Sequence, residues 1–400
     1  MHHPTDNGRM LRSRDEAEHY VARVCFKTGP PRLIGVELEH TVHHAGAADA
    51  PVELECLRDS LGPHAPASLN PASPHARLPE GGVVTVEPGG QVEISSAPHS
   101  SLTRLHQSVD TDLAALRGLL AASRLSLGYR GLDPRGSPPR LRTARYEAMA
   151  RAFTRHGPHG TSMMGATAGL QVCLDSGRPD QVAARWHALH DMGPALLALF
   201  STSRRPGSAC ARMRTWLGMD PTRTAAVTAS GDPASAWATY AMRAPVLCVR
   251  TKRRPWPTPR GVSFADWIAG ALPRPPTTAD LDLHLSMLFP PVRPRGYLEV
   301  RYLDTQPDGE WFAPVAMIGA LLATDATIDA AREICAASRR LWNEAARHGG
   351  ADSRISRAAT DLAALACDHL RDTGLPADTA RTVTTITEAR VASLTTEDKE

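Results

Sequence analysis

Residues 286–304, SMLFPPVRPRGYLEVRYLD, constrain this chain more than any other stretch. Pro290-Pro291 stops whatever precedes them, Arg293 and Arg295 lead into a turn at Gly296, and residues 297–304 then alternate as a strand. Leu298, Val300 and Tyr302 point one way, and Glu299 and Arg301 point the other. The apolar side asks for a core behind it. The acid and the guanidinium in front ask for solvent or a polar ligand.

Other segments repeat this design. In residues 34–41, Ile34, Val36, Leu38 and His40 share one face, while Gly35, Glu37, Glu39 and Thr41 share the other. Residues 82–96 read as a hairpin turning at Pro88-Gly89-Gly90, with Thr85, Glu87, Gln91, Glu93 and Ser95 on the polar face. Residues 163–175 are expected as a third strand, with Thr167, Gln171 and Cys173 in front. Residues 240–250 are a fourth strand candidate. Carboxylates set about 7 Å apart along one strand repel one another unless a cation lies between them or water bathes them. The strand at 34–41 alone fits a solvent-facing edge. A second acid-lined face in the hairpin favours a divalent metal or an ammonium ligand.

Between these segments the periodicity is helical at residues 12–26, 100–127 and 179–200, with short helices from Arg145 toward Phe153 and at residues 264–268. Residues 45–80 show no period and read as a solvated loop holding Cys56. His40, His43 and His44 lie at its mouth, so solvation is preferred there over a metal site. His2-His3 at the terminus is read the same way. Residues 311–347 and 354–371 read as amphipathic helices, and 377–394 as a weaker one. The chain is expected to be one catalytic domain over residues 1–400, with a core at about 30–310 and a helical part at about 311–394.

Composition excludes several classes. Forty-five basic against 42 acidic residues, a net charge of +3, is too balanced for a nucleic-acid or anionic-membrane binder. The seven cysteines form no CxxC, so neither a disulfide framework nor a zinc knuckle is indicated. Residues 1–11 are polar and no apolar run is long enough to span a bilayer, which reads as a soluble cytoplasmic protein.

Acids plus a glutamine, with no His or Cys cluster, are hard oxygen ligands suited to Mg²⁺ or Mn²⁺. Arginines at the rim suit phosphate or carboxylate. Together they fit nucleotide-dependent phosphoryl transfer, although neither GxxxxGK[ST] nor a strand-coupled GxGxxG is present.

The colinear set Ile34–Glu39, Glu87–Ser95, Arg145-Tyr146 with Met149, Gln171–Asp175, Tyr240–Met242, Asp266–Ile268 and His284–Asp304 resembles the glutamate–cysteine ligases of plant and actinobacterial type. The likeness is strongest to the branch that serves ergothioneine biosynthesis. It implies an α+β fold: a twisted antiparallel sheet with a polar concave face, glutamine-synthetase-like, with helices packed behind. It implies ATP and Mg²⁺, with L-glutamate and L-cysteine joined through a γ-glutamyl phosphate. By the same resemblance Glu37, Glu39, Glu87 and Glu93 would hold Mg²⁺. Arg293, Arg295 and Arg301 would act on phosphate or substrate carboxylate, and Gln171, Glu299 and Arg145 would bind the nucleotide and its metal. Two positions depart from the family pattern: Cys173 stands where Asn is usual, and Arg243 where an acid is usual. They leave open a ligase for another amine, or a weak relative that only binds nucleotide or amino acid.

Overall fold

The computed structural model describes residues 8–227 and 231–396; the His2-His3 pair lies outside them. Among the described residues seven strands form one antiparallel sheet: β1 (Ile34–His44), β2 (Val83–Val86), β3 (Val92–Ser95), β4 (Leu125–Gly128), β5 (Gly169–Leu174), β6 (Val292–Pro294) and β7 (Leu298–Asp304). Their spatial order is β2-β3-β1-β5-β7-β6, with β4 paired to the far half of β1.

Alternation sets the register. Leu38 lies opposite both Ile94 and Leu170, and Val36 opposite Val172, so the apolar residues stack on one face. All of them are buried in one continuous core. On the other face Glu39 lies opposite Glu93, and Glu37 opposite Gln171. A bulge interrupts the pairing of β5 with β7. Between the pairs Val172–Val300 and Leu170–Leu303, Gln171 faces two residues, Arg301 and Tyr302. Bulges re-aim side chains, and this one brings Arg301 to the Gln171 amide.

The hairpin turns as its glycines require. The Glu87 N–H donates to the Gln91 carbonyl at 2.8 Å, and Gly90 adopts φ +94°. A Cβ on Gly89 would sit 2.1 Å from the Gly165 carbonyl oxygen, so the turn docks closely on the helix His159–Ala166.

The third strand is shorter than its pattern suggested: Met163–Ala166 ends a helix and only Gly169–Leu174 is strand. Methionine, glycine and alanine do not discriminate between the two. Residues 240–250 form no strand. Pro233–Arg243 is a helix capped by the Asp232 carboxylate, which accepts from the Ser235 N–H, and after it an isolated bridge pairs Pro245 with Ser263. The apolar run expected to carry one helix to residue 127 ends at Ala122, and Leu125 and Leu127 bury in β4 instead. Residues 45–80 are not wholly irregular, since Leu54–Leu61 is a helix with Leu57 and Leu61 in the core. His40, His43 and His44 belong to β1, and His40 is buried rather than solvated.

Beyond β7 the chain is helical, as expected, but broken more often: Phe312–Leu321, Asp325–Ile334, Trp342–His348, Ser353–His369 and Ala377–Thr396. Phe312–Leu321 is apolar on every side rather than amphipathic, and almost every residue in it is buried. These helices share the core behind the sheet, where the Tyr302 ring meets Trp342 edge-on at 5.5 Å. Among the described residues no single helix is long and apolar enough to cross a membrane.

Candidate active site

Strand order sorts charge across the open face of the sheet. Glu37 and Glu39 come from β1, and Glu87 and Glu93 from the adjoining hairpin. β5 contributes the neutral Gln171, and β6, β7 and the turn between them contribute Arg293, Arg301 and Arg295. These residues line one cavity of about 340 Å³, joined by Arg145 and Tyr146 from the helix Ala144–Phe153. One side of the cavity is therefore acidic and the other is a guanidinium cluster.

On the acidic side two carboxylates are held and two are free. Glu39 accepts from the Gly169 N–H at 2.7 Å and from Gln171 Nε2 at 3.0 Å. Glu93 Oε1 accepts from the Thr85 hydroxyl at 2.7 Å and the Ser95 hydroxyl at 3.2 Å. Glu37 and Glu87 make no hydrogen bond or ion pair among the described residues. Burial, with the nearby Glu299 charge, pushes the Glu37 carboxyl up to about 7. Burial and Glu39 push Glu87 up to about 7 as well. Burial with Glu37, Glu87 and Glu39 raises Glu93 well above the usual carboxylate range. Unpartnered, mutually repelling carboxylates are the donor set that a hard divalent cation satisfies, so these residues fit Mg²⁺ or Mn²⁺.

On the basic side Glu299 is the organising group. It is fully buried, and Arg293 Nε and Arg301 Nη1 both reach its Oε2 at 2.7 Å while Arg295 Nη1 reaches Oε1 at 3.1 Å. Burial opposes its ionisation, but Arg293, Arg301 and Arg295 outweigh that and hold the carboxyl far below its ordinary value. Three cations on one anion leave positive charge to spare. Arg301 also donates to the Gln171 side-chain oxygen, and its guanidinium lies 5.3 Å from the Trp216 ring centre. Arg212 lies 5.1 Å from the same ring, and it donates to the Arg301 carbonyl at 3.1 Å. Trp216 thus packs against two guanidiniums and fixes the plane of Arg301.

Of the residues marked from the sequence, Glu37, Glu39, Glu87, Glu93, Gln171, Arg145, Arg293, Arg295 and Arg301 all line the cavity. Glu299 lies beneath them as counter-ion. Gln91 spends its amide internally, accepting from Gly89 N–H and donating to the Thr167 carbonyl, each at 2.9 Å. Arg145 is tied to the Ser286 carbonyl at 3.0 Å. Arg243 is exposed at the end of its helix and does not line the cavity, so it alters no charge there. Cys173 lines a neighbouring cavity of about 250 Å³ that shares Glu37. Trp216, Phe289, Met163 and Met164 also line the main cavity and were not marked. They carry no sequence signal beyond apolar periodicity.

The model of glutamate-cysteine ligase family 2 matches residues 33–389. The chain belongs to that family. Family members named glutamate–cysteine ligase EgtA from Mycobacterium tuberculosis (strain H37Rv) and Mycolicibacterium smegmatis are 38% and 35% identical to it. They align over 372 and 373 residues, covering 88% and 89% of this chain and 82% and 85% of theirs. The chloroplastic glutamate–cysteine ligase of Medicago truncatula is 29% identical over 241 residues, 56% of this chain and 47% of its own. Among solved structures, the Francisella tularensis glutamate–cysteine ligase in complex with AMP superposes with a TM-score of 0.50 at 14% identity. The superposition covers 94% of this chain and 84% of that one, so the two share a fold.

Proposed function

We propose that the protein is an ATP-dependent glutamate–cysteine ligase that makes γ-glutamylcysteine, the first step of the ergothioneine route. The observation that carries this reading is the sorting of charge by strand order. Forming an amide from a carboxylate and an amine needs a carboxylate and a polyphosphate, both anions, to meet. The guanidinium cluster of Arg293, Arg295 and Arg301 removes that repulsion on one side. The carboxylates Glu37, Glu39, Glu87 and Glu93 would hold Mg²⁺ on the other. When bound, Mg²⁺ would neutralise phosphate oxygens of ATP.

The γ-carboxylate oxygen of glutamate attacks the terminal phosphorus of ATP and ADP leaves. Arg301, fixed by Glu299, Gln171 and Trp216, is placed to keep its fork toward the anion through that step. The cysteine amine then attacks the acyl carbon, phosphate departs with the oxygen it took from glutamate, and the amine gives up its proton. Most of the catalysis is positioning and charge neutralisation.

Another amine acceptor was suggested by Arg243 and Cys173. Arg243 stands outside the cavity, which removes half of that case. The test is ADP release with ATP, Mg²⁺ and L-glutamate, adding cysteine, alanine, serine and α-aminobutyrate separately, with product masses recorded. Cysteine should give the highest kcat/KM. An analogue that does as well would remove the cysteine assignment and leave the ligase chemistry standing.

A further inference from the structure

Acids and bases are close to balanced along the chain, but not in residues 244–265, which hold Arg250, Lys252, Arg253, Arg254 and Arg260 and no acid. The chain's net charge is +3, so everything outside this segment nets −2. All five cations are exposed, and none of them forms an ion pair among the described residues. Like charges left free would spread a loop, yet this one is tied. The Val246 and Val249 N–H groups donate to the Val262 and Pro257 carbonyls at 2.8 and 2.9 Å. Trp256 Nε1 donates to the Thr251 carbonyl at 3.0 Å, and the Arg250 guanidinium lies 5.7 Å from the Trp256 ring centre. The loop is also pinned to the wall of the main cavity. Arg151 donates to the Trp256 carbonyl at 2.8 Å, and Arg155 to the Thr258 carbonyl at 3.1 Å. Arg151 belongs to the helix Ala144–Phe153, whose Arg145, Tyr146 and Met149 line that cavity. Where the chain enters the loop, the Cys248 sulfur lies 3.7 Å from that of Met287, the neighbour of cavity-lining Ser286. Burial pushes the Cys248 thiol up to about 11 while Arg145, Arg250 and Arg151 pull against it, so these three charges share one neighbourhood.

We propose that this loop is an electrostatic collar that draws the nucleoside triphosphate to the cavity beside it. Resting on the ligase reading, this gives residues outside the cavity a part in capturing one of its substrates. The carboxylates of the cavity and the net negative remainder of the chain repel an incoming polyphosphate, and a positive field on the approach offsets that. The attraction scales with the charge of the ligand, so a nucleoside triphosphate, even with Mg²⁺ bound, gains more than glutamate or cysteine. What the exposed side chains contribute is charge, not the fork of a guanidinium, so lysine serves there as well as arginine. Fields of this kind raise association by about tenfold to a thousandfold, and they are screened over about 8 Å at physiological ionic strength. The collar therefore acts at low salt and fades as salt rises.

The experiment uses the full-length protein with Lys252, Arg253 and Arg254 all replaced by Gln, and a charge-keeping control that combines Arg253→Lys with Arg254→Lys. Steady-state ADP release with ATP, Mg²⁺, glutamate and cysteine is measured in about 20 mM and about 300 mM NaCl, and thermal melts confirm that each variant is folded. At low salt the Gln variant should show a KM for ATP raised at least about threefold, with kcat and the KM values for glutamate and cysteine within about twofold of the parent. At high salt the two should converge, and the Lys control should follow the parent at both. A Lys control that loses as much as the Gln variant, or a loss that falls on kcat, overturns the proposal. An active parent matched by the Gln variant at low salt overturns the collar alone, whereas a parent that releases no ADP with any amine overturns the ligase reading and the collar with it.

Discussion

Glu39 and Glu93 lie directly opposite each other on neighbouring antiparallel strands, at one register position of a buried sheet face. Like charges so placed destabilise a sheet. Here the hydroxyls of Thr85 and Ser95 and the amide groups of Gly169 and Gln171 hold the two carboxylates in place rather than letting them part. On the proposed function a cation would offset that repulsion.

Metal-free stability should therefore depend on pH in an unusual direction. Glu37 and Glu87, each raised to about 7, bind protons in the folded state that the unfolded chain has already released. Folded protein binds more protons, so stability falls as pH rises through 7, by at most about 1.4 kcal/mol per unit for each group. His40, His190 and His284, held down to about 4, 4 and 3 by burial, oppose this as the histidines of the unfolded chain take up protons around pH 6.5 and below. Urea melts in chelator should show a lower midpoint at pH 8 than at 6.5, and Mg²⁺ or Mn²⁺ should raise the midpoint most at pH 8. A midpoint that climbs with pH in chelator contradicts this.

Glu93→Gln should separate stability from function. The amide keeps an acceptor for Thr85 and Ser95 and removes the charge facing Glu39. Metal-free protein should gain up to about 1 kcal/mol, while Mg²⁺-dependent ADP formation should be lost. A destabilised variant that keeps turnover would show that Glu93 is structural.

Arg301→Lys retains charge but not the planar guanidinium, whose Nη1 donates to both Glu299 and Gln171 and whose face lies against Trp216. Losing a charge-assisted bond at about 1.5–3 kcal/mol predicts a fall in kcat/KM of about tenfold to a hundredfold or more. Near-parental turnover would mean that a diffuse positive charge suffices there.

Glu299→Gln leaves Arg293 and Arg301 buried beside Arg295 with no counter-ion. Breaking a buried ion cluster from one side costs about 3–5 kcal/mol. The melting temperature should drop, and added phosphate or sulfate should recover part of the loss. An unchanged melt would mean that the arginines find other partners.

Glu37, Glu39, Glu87, Glu93, Glu299 and Arg301 were legible because a strand has period two and each acid is flanked by Val, Leu or Ile. Strand order was not legible from pattern, and it is what separates acids from arginines. Gln171 could be placed on the front face, but the bulge that hands it Arg301 depends on the pairing of β5 with β7. β4 was hidden because Leu125 and Leu127 continue the apolar spacing of the preceding helix. Trp216 was hidden because a tryptophan on an apolar helix looks like core. Its contact with Arg212 and Arg301 exists only once the helix Ala211–Met219 lies against β7. The Arg243 departure looked functional because adjacency to a family motif says nothing about which way a helix end faces. Arg243→Glu should change kcat/KM for cysteine by less than about twofold, a surface effect of under ~0.5 kcal/mol. A larger loss would return that position to the site.

On the proposed function this face joins glutamate to cysteine by transferring phosphate to the γ-carboxylate. Ligation run with glutamate carrying oxygen-18 in that carboxylate tests it most directly. One labelled oxygen should appear in the inorganic phosphate for each γ-glutamylcysteine formed, dependent on Mg²⁺ and lost in Glu37→Gln. Unlabelled phosphate accompanying product, or labelled transfer that persists in Glu37→Gln, would contradict it.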